Sequence, residues 1–204
     1  MAIQRPKSNL INMVLALVLV TVVSSACLGY IFELTKDRIA QAKEAKKLRA
    51  IVAVTVDGYD NDLVAGRLEV LADGLKKALE FYPATKDSEL ISTAIKSYST
   101  QGFSGDIVVM VGLKPDGSIH RIKVVEQRET PGLGTKVESK RFLRQFVGKS
   151  LASFNFKVKK DGGDVDAITA ATISTRAFSL AVQTALAQYQ KRAQIAANQG
   201  KKDE

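Results

Sequence analysis

The sequence predicts an α+β domain, an antiparallel or mixed sheet packed by helices, preceded by one N-terminal transmembrane helix. Three observations carry this expectation. From Leu10 to Phe32 no charged residue occurs and Leu, Val, Ile, Ala and Met dominate; about 20 such residues suffice for a helix to cross the hydrocarbon core. The middle of the chain reads as strands joined by tight turns. From Ile173 onward the apolar residues recur with helical spacing, on a face too wide to remain solvated.

Taken in order, residues 1–32 form the N-terminal tail and the membrane helix. Arg5 and Lys7 precede that helix as a cleaved signal peptide's basic segment would, but its apolar stretch exceeds the roughly 7 to 15 residues of such signals. A lipoprotein signal ending at Ser24-Ser25-Ala26-Cys27 is the other competitor. It has Ser24 where a large aliphatic residue is expected, so Cys27 is read as a small apolar residue inside an uncleaved anchor. Glu33 to Ala50 has helix-forming composition with no Gly or Pro, and extends the anchor as a helical stalk. A domain of residues 51–191 follows, with a polar tail at 192–204. Within the domain, Ile51 to Val56 reads as a short strand, Asp57 to Asp62 as a loop, and Asp73 to Tyr82 as a weak helix ended by Pro83. Ser92 to Ser99 is a strand candidate. Asp106 to Leu113 is an almost unbroken β-branched run, as in a strand buried on both faces. Lys114-Pro115-Asp116-Gly117 makes the turn, because proline presets φ and glycine accepts positive φ, and Ser118 to Glu126 returns as the partner. His120 there is read as an ordinary strand histidine. Glu138 to Phe146 looks helical, Phe154 to Lys160 alternates like a strand, and Asp161 to Asp164 is a turn. The last helix places Ile173, Ala177, Leu180, Ala181 and Thr184 on one stripe and Phe178, Val182, Ala185 and Tyr189 on its neighbour. Beyond Gln190 it is polar and expected to fray.

The bulk properties exclude several classes of function. With one cysteine and one histidine among 204 residues, the chain cannot build a disulfide framework, a thiolate cluster or a His-rich metal site by itself. The lack of tryptophan argues against a stacking platform for single-stranded nucleic acid. A formal charge of +9 is spread over Lys and Arg residues that often neighbour acids. That fits a solvated surface, with some attraction to anionic lipid headgroups or acidic partner subunits, and no nucleic-acid role.

Two segments carry candidate chemistry. Asp166 to Thr175 places the hydroxyls of Thr169, Thr172, Ser174 and Thr175, with Ala170 and Ala171, at the opening turn of the last helix. Helix-initial N–H groups lack partners and sit at the positive end of the dipole, so an anion is stabilised there. Taken alone, these residues are compatible with an ordinary capped helix or with a phosphate seat. Glu129-Thr130-Pro131-Gly132-Leu133-Gly134-Thr135 is either a plain Pro-Gly turn or a loop whose backbone can approach a planar ring.

Together these segments resemble the periplasmic flavin domain shared by the Rnf and Na+-translocating NADH:quinone oxidoreductase complexes. Asp166 to Thr175 is similar to that family's D-x-x-[ST]-G-A-T-x-[ST] flavinylation motif, departing from it at Ala170, where glycine is usual. Glu129 to Gly134 matches its E-T-P-G-L-G loop, and Gly102-Phe103-Ser104-Gly105 a glycine-rich turn before a strand. In length the chain resembles the RnfG family, the flavin-domain component of the Rnf complex.

The resemblance implies FMN attached through its phosphate to the Thr172 hydroxyl, with Thr169 hydrogen-bonding the phosphate and the small Ala170 and Ala171 letting it approach. Asp166 caps the turn in this reading. Thr130, Gly132, Leu133 and Gly134 receive the flavin ring. The resemblance further implies an electron-transfer subunit of an ion-translocating ferredoxin:NAD+ oxidoreductase, rather than a stand-alone enzyme. It implies other membrane subunits as partners, a separate FAD-dependent FMN transferase for maturation, and an inner-membrane anchor with the domain on the periplasmic side. The charge pattern does not fix that side, since more Lys and Arg follow the apolar helix than precede it and long domains translocate largely regardless of charge. Two other functions remain open: a flavinylated carrier serving a different respiratory complex or an extracytoplasmic reductase, and a cofactor-free tethered scaffold.

Overall fold

The computed structural model describes residues 9–71 and 74–200, with side chains through residue 195. Element order is α1 (Leu10–Val54), β1 (Leu68–Val70), β2 (Leu79–Lys86), β3 (Glu89–Ser99), β4 (Ile107–Leu113), β5 (Ile119–Glu126), α2 (Lys140–Leu143) and α3 (Thr172–Gly200). The chain divides into two units, Met1–Ala45 and Lys46–Glu204. Over the described residues the first unit is the part of α1 up to Ala45, and α1 contains a stretch apolar and long enough to cross a membrane.

The second unit is built on a five-stranded antiparallel meander in the order β1-β2-β3-β4-β5. One face carries Phe81, Ile95, Val111 and Ile122, neighbours across the sheet, and packs on Ala177, Phe178, Ala181, Val182 and Ala185 of α3. On the opposite face Tyr82, Ala94 and Met110 are covered by Ala50, Ile51 and Val54, the last turn of α1. The β4 run is therefore buried on both sides, as its composition predicts.

Ile51 to Val54 continues α1 and is not a strand. Residues 50, 51 and 54 fall on one helical face, and the sheet below supplies the burial that favours helix there. The fit is close: a Cβ on Gly112 would lie 1.9 Å from the Val54 carbonyl oxygen. The segment read as a weak helix is corrected too. Its first residue, Asp73, lies outside the described residues, and Leu79 to Tyr82 belongs to β2. Pro83 stands inside that strand opposite Thr93. Because β1 accompanies β2 only over Leu79–Phe81, a proline beyond that point removes no ladder bond.

The stretch 138–160 is less regular than its pattern suggests. The helix expected there is one turn, Lys140–Leu143, flanked by 3-10 turns. Phe156 and Val158 do alternate inward, but the segment joins no sheet and makes only an isolated bridge, Val158 to Val165. Aromatic packing takes the place of ladder bonds. Phe142 and Phe146 each approach Phe178 of α3 at 5.2 Å between ring centroids, and Phe156 stacks on Phe146 at 6.2 Å. At the far end, α3 runs on to Gly200.

Candidate functional site

At the N-terminus of α3 the chain arrives through Ala170, which has φ +60°. This left-handed conformation is strained for any residue with a Cβ and easy for glycine, which accounts for the glycine usual at this motif position. The reversal lets the first helical bond form from Thr175 N to Ala171 O at 3.0 Å. It leaves the N–H groups of Thr172, Ile173 and Ser174 ahead of the helical ladder, where an anion is favoured.

The four hydroxyls of the segment separate into different duties. Thr175 is buried; its Oγ1 donates to Ala171 O at 3.0 Å and accepts from Ile168 N at 3.1 Å. Ser174 is buried and donates to Glu129 Oε2 at 2.5 Å. Thr169 is exposed and stands off the cavity described next. Thr172, half-buried, lines that cavity, and among the described residues its hydroxyl is committed to no hydrogen bond.

Glu129 holds the surrounding loops together. Only 4 % exposed, it accepts from Ser174 through one carboxylate oxygen and from the Ser104 N–H, at 3.1 Å, through the other. Its own N–H donates to Gln127 Oε1 at 2.7 Å. Two glycines make room for it. A Cβ on Gly134 would lie 2.6 Å from Glu129 Cβ, and one on Gly102 would lie 2.8 Å from Glu129 Oε1. Gly132 has a different task, taking φ +76° in the turn and donating its N–H to Thr135 Oγ1 at 3.0 Å.

The result is a cavity of about 370 Å³ lined by Phe103, Glu129, Thr130, Leu133, Gly134 and Ala170 through Ser174. That volume falls within the range of small-molecule sites, and the lining combines apolar surface with a few placed polar groups. The three segments singled out in the sequence thus meet. Of the residues expected at a site, Thr172, Ala170, Ala171, Thr130, Leu133 and Gly134 line the cavity; Thr169 and Gly132 do not. Ser174, one of the hydroxyls offered to a phosphate, lines it as well, and so do Phe103 and Glu129, which were given no part in the site although each lies inside one of the three motifs. Asp166 does not cap α3. Its carboxylate pairs with Lys159 at 2.7 Å, and its N–H donates to Gln145 Oε1 at 2.8 Å.

Comparison with known proteins places these features in a family. Residues 102–187 match the family model of the FMN-binding domain, a span containing all three cavity-lining segments. A protein of Vibrio atlanticus (strain LGP32), named as the G component of an ion-translocating oxidoreductase complex, RnfG, is 37% identical over 161 residues, covering 75% of this chain and 77% of its own. The chain belongs to the RnfG family. Members from Aliivibrio fischeri (strain MJ11) and Shewanella baltica (strain OS223) are 33% and 32% identical, covering 84% and 88% of this chain and 86% and 89% of theirs. A solved structure, the crystal structure of Shewanella oneidensis NqrC, aligns with 62% of this chain and 67% of its own at 25% identity and TM-score 0.42. The RnfG matches thus extend well beyond the domain that lines the cavity.

Proposed function

We propose that this chain is the membrane-anchored, FMN-carrying electron-transfer subunit of an Rnf-type ion-translocating ferredoxin:NAD+ oxidoreductase, with FMN esterified through its phosphate to Thr172. The observation that carries the proposal is the state of the hydroxyls. Ser174 and Thr175 are spent on internal hydrogen bonds and Thr169 stands off the cavity, which leaves Thr172 as the cavity-lining hydroxyl of this segment with no hydrogen bond among the described residues.

The residues present fit the cofactor. The unladdered N–H groups of residues 172–174 suit a phosphodiester, and Ala170 and Ala171 keep the approach narrow-walled but open. Both nearby carboxylates are engaged, Glu129 with Ser104 and Ser174, Asp166 with Lys159, so neither presents a free anion to a phosphate. Leu133, Phe103 and Ile173 give apolar surface for a flavin ring, and Thr130 a polar contact. When bound, FMN supplies the redox chemistry, accepting and releasing electrons one at a time. The protein's own work is to fix the cofactor's position and to shape its surroundings.

Attachment requires a separate FAD-dependent FMN transferase, which moves the FMN moiety onto the Thr172 oxygen as AMP leaves and the hydroxyl proton is released. The remaining membrane subunits complete the complex. The domain lies on the periplasmic side of the inner membrane in this reading. Coupling ions pass through other subunits, because the apolar stretch Leu10 to Phe32 has no charged residue to carry them.

Two experiments test this. Co-expression with the transferase yields a yellow protein whose colour survives denaturation and is lost in Thr172→Ala; a colourless wild-type product contradicts it. A reporter fused after Glu204 is active outside the cytoplasm, and cytoplasmic activity refutes the assigned side.

A further inference from the structure

The cations of this domain are segregated rather than scattered. Residues 127–160 carry nine Lys or Arg against two Asp or Glu, whereas residues 56–126 carry eight against eleven. Of the two acids in the basic stretch, Glu129 is buried and doubly bonded, and Glu138 accepts from the Gln127 side-chain amide at 3.1 Å. That last bond clasps residues 127–138 into one loop. Its inner residues Thr130, Leu133 and Gly134 line the cavity, and Arg128 and Lys136 flank them, exposed. In the next turn Phe142 is buried against Phe178, which leaves Lys140 and Arg141 exposed. None of these four cations has an acidic partner among the described residues.

The same region exposes apolar surface. Phe103, Leu133 and Ile173, all lining the cavity, are 68%, 39% and 47% exposed. In the flavin-carrying protein these three residues meet the ring, so the ring and its apolar rim together form the centre of this face. An apolar centre flanked by charge of one sign is the anatomy of a protein docking surface, where apolar contact supplies adhesion and charge supplies steering and register.

We propose that this face docks the acidic surface of a redox protein, with Arg128, Lys136, Lys140 and Arg141 meeting carboxylates around the partner's own prosthetic group. The proposal rests on the electron-carrier reading for the kind of partner: exchange through the cavity mouth requires a surface that approaches it closely. A bilayer matches the charge, but would seal the opening.

The test uses the full chain in detergent, both flavinylated and as the flavin-free Thr172→Ala form. The probes are two c-type cytochromes of similar size, one acidic and one basic. Binding is read calorimetrically at roughly 20 and 200 mM salt, spanning a large change in screening length. Both forms of the chain bind the acidic cytochrome at low salt, about tenfold or more weaker at high salt, and neither binds the basic one. Reversal of Arg128, Lys136, Lys140 and Arg141 to Glu weakens binding about tenfold or more, whereas Lys86→Glu with Lys114→Glu leaves it within about twofold. Arg128→Gln and Lys136→Gln, each singly, give intermediate losses and guard against misfolding of the fourfold variant. Absence of binding to the acidic probe at low salt, or equal binding by the reversal variant, overturns the proposal. So does a loss confined to phosphatidylglycerol vesicles, which assigns the face to lipid. Because the Thr172→Ala form keeps the same four cations, a failure of flavin attachment leaves this result readable by itself.

Discussion

The Ser174 hydroxyl donates to Glu129 Oε2 at 2.5 Å, joining the first turn of α3 to a loop 45 residues earlier in the chain. With Ser104 N–H on the other oxygen, this contact holds three separate segments around one cavity. Glu129→Ala removes the acceptor from the buried Ser174 hydroxyl and from the Ser104 N–H, and opens a void beside Gly134. The expected loss is about 1–3 kcal/mol of stability, with a lower thermal midpoint and reduced flavin content after co-expression. Unchanged values for both quantities refute the role given to this carboxylate.

Ala170 tests the backbone argument. At φ +60°, Ala170→Gly relieves strain and raises stability by about 0.5–1 kcal/mol, net of the greater freedom glycine gains when unfolded. Ala170→Val, with a β-branched side chain in the same conformation, loses on the order of 1–3 kcal/mol. Chemical denaturation of the two variants checks the order glycine above alanine above valine.

Gly112 reports the packing of the α1 terminus on the sheet. A methyl group there meets the Val54 carbonyl at 1.9 Å, backbone that no rotamer change can clear. Gly112→Ala lowers stability by about 3 kcal/mol without altering any cavity residue. A thermal midpoint equal to the parent's contradicts the close approach.

The outer face of the sheet provides a pH test. Burial pushes the Glu80 carboxyl up, but hydrogen bonds from Lys96 and Tyr82 and the charges of Lys96 and Lys47 outweigh it and hold the carboxyl below its ordinary value of 4.5. A carboxyl lowered in the folded state adds stability that is complete above the unfolded value and lost as pH falls through the folded one. Stability therefore declines below pH 4.5, and Glu80→Gln removes that part of the decline. Parallel curves for parent and variant between about pH 6 and 3 contradict it.

How far the sequence could be read follows from where each residue gets its burial. The strand β4 is legible because its residues are apolar on both faces, and α3 because its buried face repeats every turn. Ile51 to Val54 misleads because a short apolar run has no period of its own, and only the sheet beneath, at Gly112, makes it helix. Pro83 misleads in the opposite sense, since a proline is read as a breaker unless the strand's free edge is known. In Phe154 to Lys160 the alternation is real, but the partner of Phe154 and Phe156 is the ring of Phe146, not a neighbouring strand. Around the cavity, the small and hydroxyl residues of 169–175 and the glycines of 132–134 signal a site by composition. Glu129 and Phe103 stand within those motifs yet gain their parts only from contacts with segments far along the chain, which no local pattern displays.

The central claim concerns one oxygen atom. Trypsin releases Asp161 to Arg176 as a single peptide containing Thr169, Thr172, Ser174 and Thr175. After co-expression with the transferase, mass spectrometry of this peptide finds the added mass of FMN less one water, and fragmentation places it on Thr172. The unmodified peptide alone, or an adduct on Thr169, Ser174 or Thr175, contradicts the account.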